Sequence, residues 1–522
     1  MSRLFDAVLF DRDGTLIVDV PYNGDPAEVV PMPGAREALD RLRAAGLRLG
    51  VVTNQSGLAR GHFTREQLGA VNRRVTELLG PFDTWQVCPH DDSAACACRK
   101  PAPGLIAAAA AALGTTPGRC VVVGDIGRDM TAAAAAGAAG ILVPTPVTRA
   151  VEVAAAPAVA DGIAAAADTI LRREEHVTPA TRAGRAGTVL VVRSDSAGDV
   201  LVTGPAIRAV AAGADRVVLL CGPRGRAAAE LLPGVDEIIE WRLPWIDPDP
   251  GPIDPADTAG LAARLRATGA REAVVFTSFH QSALPLALLL RLAGFTRITA
   301  ISEDYPGSLL DVRHRVPDDV PEPERARSVA AAAGFGLPAA DDGRLRVAVG
   351  RERPGGYVVV HPGTAAPARA CPPETLRRIV GALAQAGHDV LVTAGPGEEM
   401  PAAQVAGHAA SWTAPGSLRD LAGLLAGASC LIAGNTGPAH LAAAVGTPVV
   451  SLYAPTVPFG RWGPYRVPAV RLGVPDAACR DTRATECPVP GHPCLSGIDP
   501  AEVLHAVRVL GARPNAQREV AA

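Results

Sequence analysis

Short runs of apolar residues alternate with helix-like segments along nearly the whole chain, and this alternation limits the fold more than any other feature. In the first third of the chain the apolar runs cover residues 7–10, 49–52, 121–123 and 141–143. Runs that are apolar at every position indicate strands buried on both faces, and a helix between successive strands allows the strands to lie parallel. We therefore predict an α/β fold built from parallel sheets with helices on both faces.

The alternation is interrupted at residues 173–187, where Gly, Ala, Arg and other polar residues predominate and the apolar period is lost. A chain of 522 residues is also too long for one hydrophobic core. We predict a first α/β domain over residues 1–172, a linker over 173–187, and two further α/β lobes over 188–350 and 351–522.

The composition excludes several classes of protein. The net charge is −3, with acidic and basic residues interspersed, so the chain offers no basic footprint for nucleic acid. The apolar runs are shorter than the roughly 20 residues that span a bilayer, and the amino terminus lacks the order of a signal peptide. We expect a cytoplasmic protein with no nucleic-acid partner and no integral membrane segment, whose ten cysteines are metal ligands or core thiols.

Two carboxylates, Asp11 and Asp13, directly follow the first apolar run. Open parallel sheets bind ligands beyond the carboxyl ends of their strands, so this pair lies where chemistry is expected. Asp11 is suited to attack a phosphoryl group and form an aspartyl-phosphate, and Asp13 to act first as an acid and then as a base. Gly14 permits the sharp turn that brings this loop to a phosphate. The spacing alone is also common in surface turns.

Three later segments favour phosphoryl chemistry. Thr53 and Asn54 end the second apolar run with a hydroxyl and an amide suited to phosphate oxygens, and Arg99 and Lys100 offer cations. Asp125 follows another apolar run. Mg²⁺ prefers an octahedral shell of oxygen atoms, partly filled by water. We expect Mg²⁺ to be held by two carboxylates and one backbone carbonyl from Asp11, Asp13 and Asp125.

A second metal site is predicted on the loop that precedes Arg99. Cys88, His90, Cys96 and Cys98 place three thiols and one imidazole close together in the sequence. This set suits four-coordinate Zn²⁺ with no open position, which makes the site structural and not catalytic. A later cluster of Cys479, Cys487, Cys494 and His492 has irregular spacing, and we interpret its cysteines as free thiols.

The phosphoryl motifs, in this order, resemble the haloacid dehalogenase-like phosphatases. The zinc loop and residues 53–61 closely resemble the subgroup of heptose-bisphosphate and histidinol-phosphate phosphatases. The resemblance implies a Rossmannoid domain that binds a small sugar phosphate through Thr53, Asn54, Arg60, Arg99 and Lys100. Residues 18–22 and Arg60 look like the heptose branch, which removes the 7-phosphate of heptose 1,7-bisphosphate, while histidinol phosphate remains the alternative substrate.

The block after the linker opens with an apolar run, a turn and a helix start that carries Asp199. A carboxylate at a helix amino terminus is stabilised by the helix dipole. Asp199 is therefore either a general base for an acceptor hydroxyl or an ordinary helix cap.

A loop at Asn435, Thr436 and Gly437 opens a later helix that carries His440. Backbone N–H groups at such a helix start can hold a diphosphate, and His440 suits either a binding or a packing role. An earlier apolar run leads into a Gly loop that ends at Thr364.

Together these segments resemble the heptosyltransferases of glycosyltransferase family 9 over about residues 189–510. The resemblance implies a GT-B fold of two Rossmann-like lobes, inverting transfer from a nucleotide-diphosphate heptose, Asp199 as the base and no metal. It implies donor contacts from Thr364, Arg369, Asn435, Thr436, Gly437 and His440. This chain departs from the family at three positions, with Asn435 for a common Asp, Cys371 for a common Trp and Arg369 for a common Lys.

The resulting hypothesis is a bifunctional enzyme in which a Mg²⁺-dependent heptose-bisphosphate phosphatase is fused to a heptosyltransferase with an unknown acceptor. One alternative joins a histidinol-phosphate phosphatase to a transferase of another sugar. In another, the second block only binds a nucleotide or glycan, which the departures at Asn435 and Cys371 leave open.

Overall fold

The computed structural model describes residues 3–317, 320–349 and 355–514. Its strands form three parallel sheets, one of five strands and two of six. The predicted α/β class and the pair of Rossmann-like lobes are confirmed. None of the helices in the described part of the chain combines the length and the apolar character needed to cross a bilayer.

The first sheet has the order β3-β2-β1-β4-β5. Its strands are β1 (Ala7–Phe10), β2 (Arg48–Asn54), β3 (Thr84–Cys88), β4 (Cys120–Gly124) and β5 (Ala139–Leu142). The helices are α1 (Ala35–Ala44), α2 (Arg65–Leu79), α3 (Gly104–Ala112), α4 (Gly127–Ala136), α5 (Ala150–Ala155) and α6 (Ile163–His176). The strand order reverses between β1 and β4, the position at which open α/β sheets place their ligands.

The second sheet has the order β11-β10-β9-β6-β7-β8. Its strands are β6 (Ala186–Val192), β7 (Ala214–Cys221), β8 (Glu237–Glu240), β9 (Glu272–Val275), β10 (Arg297–Ile301) and β11 (Val312–His314). The helices are α7 (Ala197–Gly213), α8 (Arg226–Ala229), α9 (Pro255–Ala267), α10 (Leu284–Leu292) and α11 (Glu322–Ala332). We call this body the amino-terminal lobe.

The third sheet repeats that topology in the order β14-β13-β12-β15-β16-β17. Its strands are β12 (Val358–His361), β13 (Val390–Thr393), β14 (Ser411–Thr413), β15 (Cys430–Ala433), β16 (Val449–Leu452) and β17 (Ala469–Leu472). The helices are α12 (Pro373–Gln385), α13 (Glu399–Ala406), α14 (Leu418–Gly427), α15 (Gly437–Val445), α16 (Phe459–Trp462), α17 (Pro493–Ser496) and α18 (Pro500–Val509). We call this body the carboxy-terminal lobe.

Local sequence explains where many of these elements begin. Helix α2 begins after Thr64, whose hydroxyl accepts from the Gln67 backbone N–H while the Gln67 side chain accepts from the Thr64 N–H. This reciprocal capping satisfies two backbone donors that a helix start leaves unpaired. The helix then buries Leu68, Val71 and Val75 at helical spacing, which fixes the face that packs on the sheet.

The predicted linker is shorter and more ordered than its composition indicates. Helix α6 continues to His176 and β6 begins at Ala186, so only residues 177–185 connect them. Within this connection the Ala180 N–H donates to the Ala331 carbonyl, and Arg182 pairs with Glu272. The predicted boundary between the two lobes, at residues 350 and 351, lies outside the described residues.

A buried polar junction joins all three bodies. Arg173 of α6 donates through Nε and Nη2 to both oxygens of Glu324 on α11, at 2.9 and 2.8 Å. The Tyr465 hydroxyl of the carboxy-terminal lobe donates to Glu324 at 3.1 Å, and Arg466 Nη2 donates to the Leu4 carbonyl of the first domain at 2.6 Å. The first domain therefore contacts both lobes directly.

Candidate active sites

The carboxyl ends of β1 and β4 bring three carboxylates together in the first domain. Ligand oxygens of Asp11, Asp125 and Asp129 lie within 4.8 Å of one another. Asp11 and Asp125 follow adjacent strands, and Asp129 comes from the first turn of α4. Lys100 Nζ lies 2.9 Å from Asp11 Oδ1 and 2.5 Å from Asp129 Oδ1, and it donates to the Val52 carbonyl.

The buried cluster holds more potential negative charge than positive charge. Burial raises the pKa of Asp11 to about 7 despite the opposing charge of Lys100. Burial, reinforced by Asp11 and Asp129, raises the pKa of Asp125 to about 8. One ammonium group thus faces three carboxylates, and a divalent cation would supply the missing positive charge. The donor set fits Mg²⁺, whose ligands in proteins are mainly carboxylate and water oxygens.

Gly14 allows the first loop to approach this cluster. Its φ is +74°, and a Cβ atom at this position would lie 2.3 Å from Asp125 Oδ2. Both observations exclude a side chain at this position. The sharp turn predicted at Gly14 therefore depends on glycine having no side chain.

Asp13 lies beside the cluster but is held by a different set of partners. Arg12 Nε and Nη2 each donate to Asp13 at 3.0 Å, and Gln55 Nε2 donates at 2.8 Å. Arg12 is buried and also donates to Asn72. The Asp13 side chain is therefore not one of the clustered metal ligands. The predicted contact of Asp13 with Mg²⁺ would come from its backbone carbonyl.

The amide of Asn54 binds the backbone of Lys100. Asn54 Nδ2 donates to the Lys100 carbonyl at 3.0 Å, and Asn54 Oδ1 accepts from the Lys100 N–H at 3.1 Å. These bonds position the Lys100 backbone and use one of the two N–H groups of Nδ2, so the predicted contact with phosphate stays a prediction for the second. Thr53 is buried, and its hydroxyl accepts from Gln55 at 2.9 Å.

Arg99 does not follow Lys100 into the cluster. Arg99 lies 2.9 Å from Asp92, and Arg128 and Arg60 lie 3.3 and 3.7 Å from the same carboxylate. The side chains of Arg60 and Arg128 are 41% and 50% exposed. Three guanidinium groups around one carboxylate leave a net positive charge, and we call this group of Arg60, Arg99 and Arg128 the arginine rim.

The four predicted zinc ligands converge on one point. Cys98 Sγ lies 3.3 Å from Cys88 Sγ, Cys96 Sγ and His90 Nδ1, and Cys88 Sγ lies 3.7 Å from Cys96 Sγ. Zn–S bonds of about 2.3 Å in a tetrahedron separate sulfur atoms by about 3.8 Å, so the spacing fits Zn²⁺ after small adjustments. Cys120 is buried apart from this group, as its apolar surroundings predict.

In the amino-terminal lobe, Asp199 is bound on both oxygens. Arg193 Nη2 donates to Oδ1 at 2.8 Å, while the Ser196 N–H and hydroxyl donate to Oδ2 at 3.1 and 2.6 Å. Burial alone would raise the pKa of Asp199, but Arg193 and Ser196 outweigh burial and hold the pKa below its ordinary range. The predicted capping role has geometric support, with Asp199 as the third-position partner of the Ser196 cap.

His440 of the opposite lobe lies against the start of α7. A Cβ atom on Gly198 would lie 3.2 Å from His440 Cδ2, so α15 and the start of α7 are in close contact. His440 is buried, and burial lowers its pKa to about 4, so the imidazole is neutral. Among the described residues its Nδ1 has no hydrogen-bond partner.

The remaining predicted donor contacts surround the same cleft. Thr436 caps α15, which begins at Gly437, and the side chain of Asn435 donates to the Tyr453 hydroxyl at 3.3 Å. The Thr364 hydroxyl is engaged locally with the Ala366 backbone. Burial lowers the pKa of Arg369, which lies within electrostatic range of Asp199 across the cleft.

Sequence reasoning missed several functional positions. Asp129 lies four residues after Asp125, one helical turn into α4, but nothing in the sequence indicated that Lys100 would reach it. Arg128 was not recognised as the third member of the arginine rim. Arg12 stands between the two aspartates of the first motif, where its bonds to Asp13 were not foreseen.

Comparisons with known proteins agree with this division of the chain. The haloacid dehalogenase-like hydrolase family matches residues 22–137, and glycosyltransferase family 9 (heptosyltransferase) matches residues 280–492. The glycosyl transferase family 9 structure from Veillonella parvula superposes with a TM-score of 0.52 at 17% identity, covering 63% of this chain and 98% of that one. At this identity the likeness concerns the fold alone.

The first domain has closer relatives. The D-glycero-beta-D-manno-heptose-1,7-bisphosphate 7-phosphatase of Mesorhizobium japonicum is 40% identical over 144 residues, which are 26% of this chain and 66% of that protein. The enzyme of the same name from Bordetella bronchiseptica is 38% identical over 143 residues, covering 26% of this chain and 80% of that protein. The chain therefore belongs, through its first domain, to the haloacid dehalogenase-like phosphatases related to heptose-bisphosphate phosphatases, and it carries a glycosyltransferase family 9 domain behind it.

Proposed function

We propose that the first domain is a phosphatase in which Asp11 is the nucleophile and Asp13 the general acid and base. The observation that carries this proposal is the meeting of Asp11, Asp125 and Lys100 at the point where the strand order reverses. Asp11 attacks the phosphorus atom and forms an aspartyl-phosphate, while Asp13 protonates the leaving oxygen. Asp13 then takes a proton from the water that hydrolyses this intermediate.

The surrounding residues prepare these two carboxylates. Lys100 Nζ lies 2.9 Å from Asp11 Oδ1 and forms an ion pair with the nucleophile. Arg12 and Gln55 hold Asp13 on the side away from the metal cluster, with 23% of its side chain exposed. Asp11 and Asp125 would hold Mg²⁺, which when bound screens the charge of the phosphoryl oxygens. Deprotonated Asp11 is required for attack.

The arginine rim supports a bisphosphate as the substrate. Its net positive charge attracts a second phosphate on the molecule whose first phosphate reaches Asp11. Histidinol phosphate carries an ammonium group instead, which the same three guanidinium groups repel. We therefore propose a heptose 1,7-bisphosphate as the substrate and the 7-phosphate as the group removed, in line with the named activity of the relatives.

The Cys88, His90, Cys96 and Cys98 cluster would hold a structural Zn²⁺. The loop it closes carries Asp92 between its ligands and leads directly into Arg99 and Lys100. A metal at this point would fix the arginine rim relative to Lys100. Thiolate ligands need a reducing compartment, and all ten cysteines are unpaired, so we propose a cytoplasmic location.

We propose that the two lobes transfer a heptose from a nucleotide-diphosphate donor bound between α7 and α15. The start of α15, at Thr436 and Gly437, presents backbone N–H groups that suit a diphosphate, and Arg369 offers a guanidinium group nearby. Asp199 faces this cleft as the proposed base, although its bonds to Arg193 and Ser196 must loosen before it can accept a proton.

The phosphatase proposal is tested by turnover of a heptose 1,7-bisphosphate and of histidinol phosphate by the purified chain with Mg²⁺. We expect release of phosphate from the heptose bisphosphate, and a loss of at least about 10⁴-fold in Asp11→Asn. Asp161→Asn, on the surface of the same domain, serves as the matched control. Turnover of histidinol phosphate alone would overturn the choice of substrate, and full activity of Asp11→Asn would overturn the mechanism.

A further inference from the structure

A large crevice separates the phosphatase domain from the carboxy-terminal lobe. It encloses a cavity of about 910 Å³ between α4, β5 and α5 on one side and α16, β17 and α18 on the other. The two walls touch firmly at its edge, since a Cβ atom on Gly460 would lie 2.0 Å from the Pro157 carbonyl oxygen. The crevice is therefore bounded by close packing, and its volume is in the range of small-molecule binding sites.

The crevice extends towards both proposed active sites. At one end Pro101 and Gly127 line it, next to Lys100 and two residues after Asp125. A second cavity of about 380 Å³ shares Pro157, Phe459 and Arg471 with the first and reaches Pro458. The Pro458 carbonyl accepts from the Tyr453 hydroxyl, which in turn accepts from the side chain of Asn435 in the transferase cleft.

Two arginines on the transferase wall, Arg466 and Arg471, form no ion pair with a carboxylate among the described residues. Arg471 stacks between Tyr453 and Phe459, 5.3 and 5.1 Å from the two ring centroids, and its Nη1 donates to the Ala155 carbonyl at 3.3 Å. Its Nε is buried and finds no hydrogen-bond partner in the described part of the chain. Arg466 likewise donates to backbone carbonyls, and no carboxylate pairs with either arginine in the described parts of the chain.

The phosphatase wall adds cations at the mouth. Arg149 is 73% exposed beside Glu152, and Arg128 of the arginine rim also lines the cavity. Apolar side chains such as Val151 and Phe459 cover much of the remaining surface. The Asp481 carboxylate acts on Arg471 only from beyond ion-pair distance, so an anionic ligand would gain a direct partner there, whereas inorganic phosphate would leave most of the volume empty. The walls therefore fit an organic molecule with a phosphate group.

We propose that this crevice binds a sugar that carries phosphate on its anomeric carbon. This inference rests on the proposed function, because the phosphatase would leave such a phosphate and the transferase donor would contain one. The ligand is either the sugar 1-phosphate product or the nucleotide-diphosphate sugar, and both present the same phosphorylated carbon to Arg471. The crevice would hold the molecule between the sites that form and consume this class of compound.

The test uses the full chain with Asp11→Asn, so that no turnover occurs, and isothermal titration with heptose 1-phosphate and, separately, ADP-heptose. In this background Val151→Trp fills the crevice from the phosphatase wall, and Arg471→Met removes the cation from the other wall. Val147→Trp, at a 74% exposed position outside the crevice, is the matched control. We expect a loss of at least tenfold in affinity, or of one binding site per chain, for one of the two ligands with both crevice variants.

Unchanged affinity and stoichiometry for both ligands in Val151→Trp and Arg471→Met would overturn the proposal. A loss in Arg471→Met alone would also overturn it, because that result places the effect at the neighbouring Tyr453 and the transferase cleft. Phosphatase turnover is measured in parallel with Asp11 intact and is expected to be unchanged in Val151→Trp. Absence of turnover in the parent chain would defeat the proposed function, while the binding comparison would still decide whether the crevice is a site.

Discussion

The ammonium group of Lys100 contacts Asp11 and Asp129 at once, in an environment where Lys100 is almost fully buried. The two carboxylates raise the pKa of Lys100 against the opposing effect of burial, so the charge on this side chain persists. Lys100 therefore compensates the carboxylates and lies against Asp11, the proposed nucleophile. Its neighbour Arg99 points out to the rim, which makes the two adjacent cations a natural experimental pair.

Lys100→Met is expected to lower kcat for phosphate release by about 10²–10³-fold, because it removes a fixed positive charge from the reacting centre. Arg99→Met, which removes a cation of the rim only, is expected to raise KM and leave kcat within a few fold. Steady-state kinetics with the heptose bisphosphate separates the two effects. Equal changes of kcat in both variants would contradict the different positions assigned to these residues.

Individual residues were predictable where the backbone alone determines their place. Asp11 and Asp125 follow apolar runs that became adjacent parallel strands, so their meeting follows from sheet topology. The use of Asn54 on the Lys100 backbone did not follow, since that contact joins residues 46 positions apart through a loop. Hydrogen bonds across such loops depend on side-chain packing that periodicity does not encode.

At the scale of single elements, one loop connects the proposed zinc site to the arginine rim. Cys98→Ala is expected to reduce bound zinc to background and to lower the midpoint of thermal unfolding of the phosphatase domain by several degrees. Cys120→Ala, which removes a buried thiol outside the cluster, is expected to retain zinc. Metal analysis of the purified proteins and calorimetry provide the measurements. Full zinc content in Cys98→Ala would show that the loop binds no zinc through this thiol.

Two substitutions at the start of α7 distinguish a capping role of Asp199 from a catalytic role. Ser196→Ala removes the cap side chain and is expected to lower the free energy of unfolding by about 1 kcal/mol with little effect on turnover. Asp199→Asn keeps the size of the side chain and is expected to abolish the release of ADP from ADP-heptose that accompanies transfer of the heptose to water, which serves as the acceptor hydroxyl in this assay. Denaturant unfolding and nucleotide release, measured on both variants, give the comparison. Normal release by Asp199→Asn would leave only the capping role.

Elements with complete local signals were predicted to the residue. Helix α2 shows this, because Thr64 and Gln67 mark its start and Gly80 its end. The linker was predicted to begin too early in the sequence, because Arg173 and Glu174 resemble residues of an exposed polar segment. Both are held by partners distant in sequence, Arg173 by Glu324 and Glu174 by the Leu4 and Phe5 N–H groups, which continue the helix.

At the scale of the whole molecule, the pair of Arg173 and Glu324 carries much of the contact between the phosphatase and the amino-terminal lobe. Glu324→Gln leaves Arg173 buried beside a neutral group and is expected to cost roughly 3–5 kcal/mol of apparent stability. The double variant with Arg173→Met is expected to lose less than the sum of the single changes. Thermal unfolding of the four proteins tests this coupling, and strict additivity would contradict it.

The same junction predicts a dependence on acid. Burial would raise the pKa of Glu324, but Arg173 outweighs it and holds the pKa below the ordinary value. The stabilisation is therefore complete above the ordinary glutamate pKa of about 4.3 and is lost as the pH falls through the lower folded value. The difference in melting temperature between the parent and Glu324→Gln should stay constant from neutral pH to about pH 5 and shrink below it. A constant difference down to pH 3 would exclude Glu324 as its source.

The three α/β bodies and their order were predictable from the alternation of apolar runs, but their arrangement was not. Glu324 and Arg173 are 151 residues apart, and Arg466 reaches Leu4 across 462 residues. No periodic pattern marks such contacts, because each uses a charged residue that would otherwise be taken as part of a solvated surface. The crevice between the domains could not be predicted from the sequence for the same reason.

The contact of the phosphatase domain with both lobes has a mechanical consequence. Arg173 anchors it to α11 in one lobe, while the Leu4 carbonyl anchors it to Arg466 in the other. Any hinge motion that rotates the lobes against each other must stretch one of these anchors or carry the phosphatase along. We therefore expect the phosphatase domain to restrict any opening of the donor cleft between the two lobes.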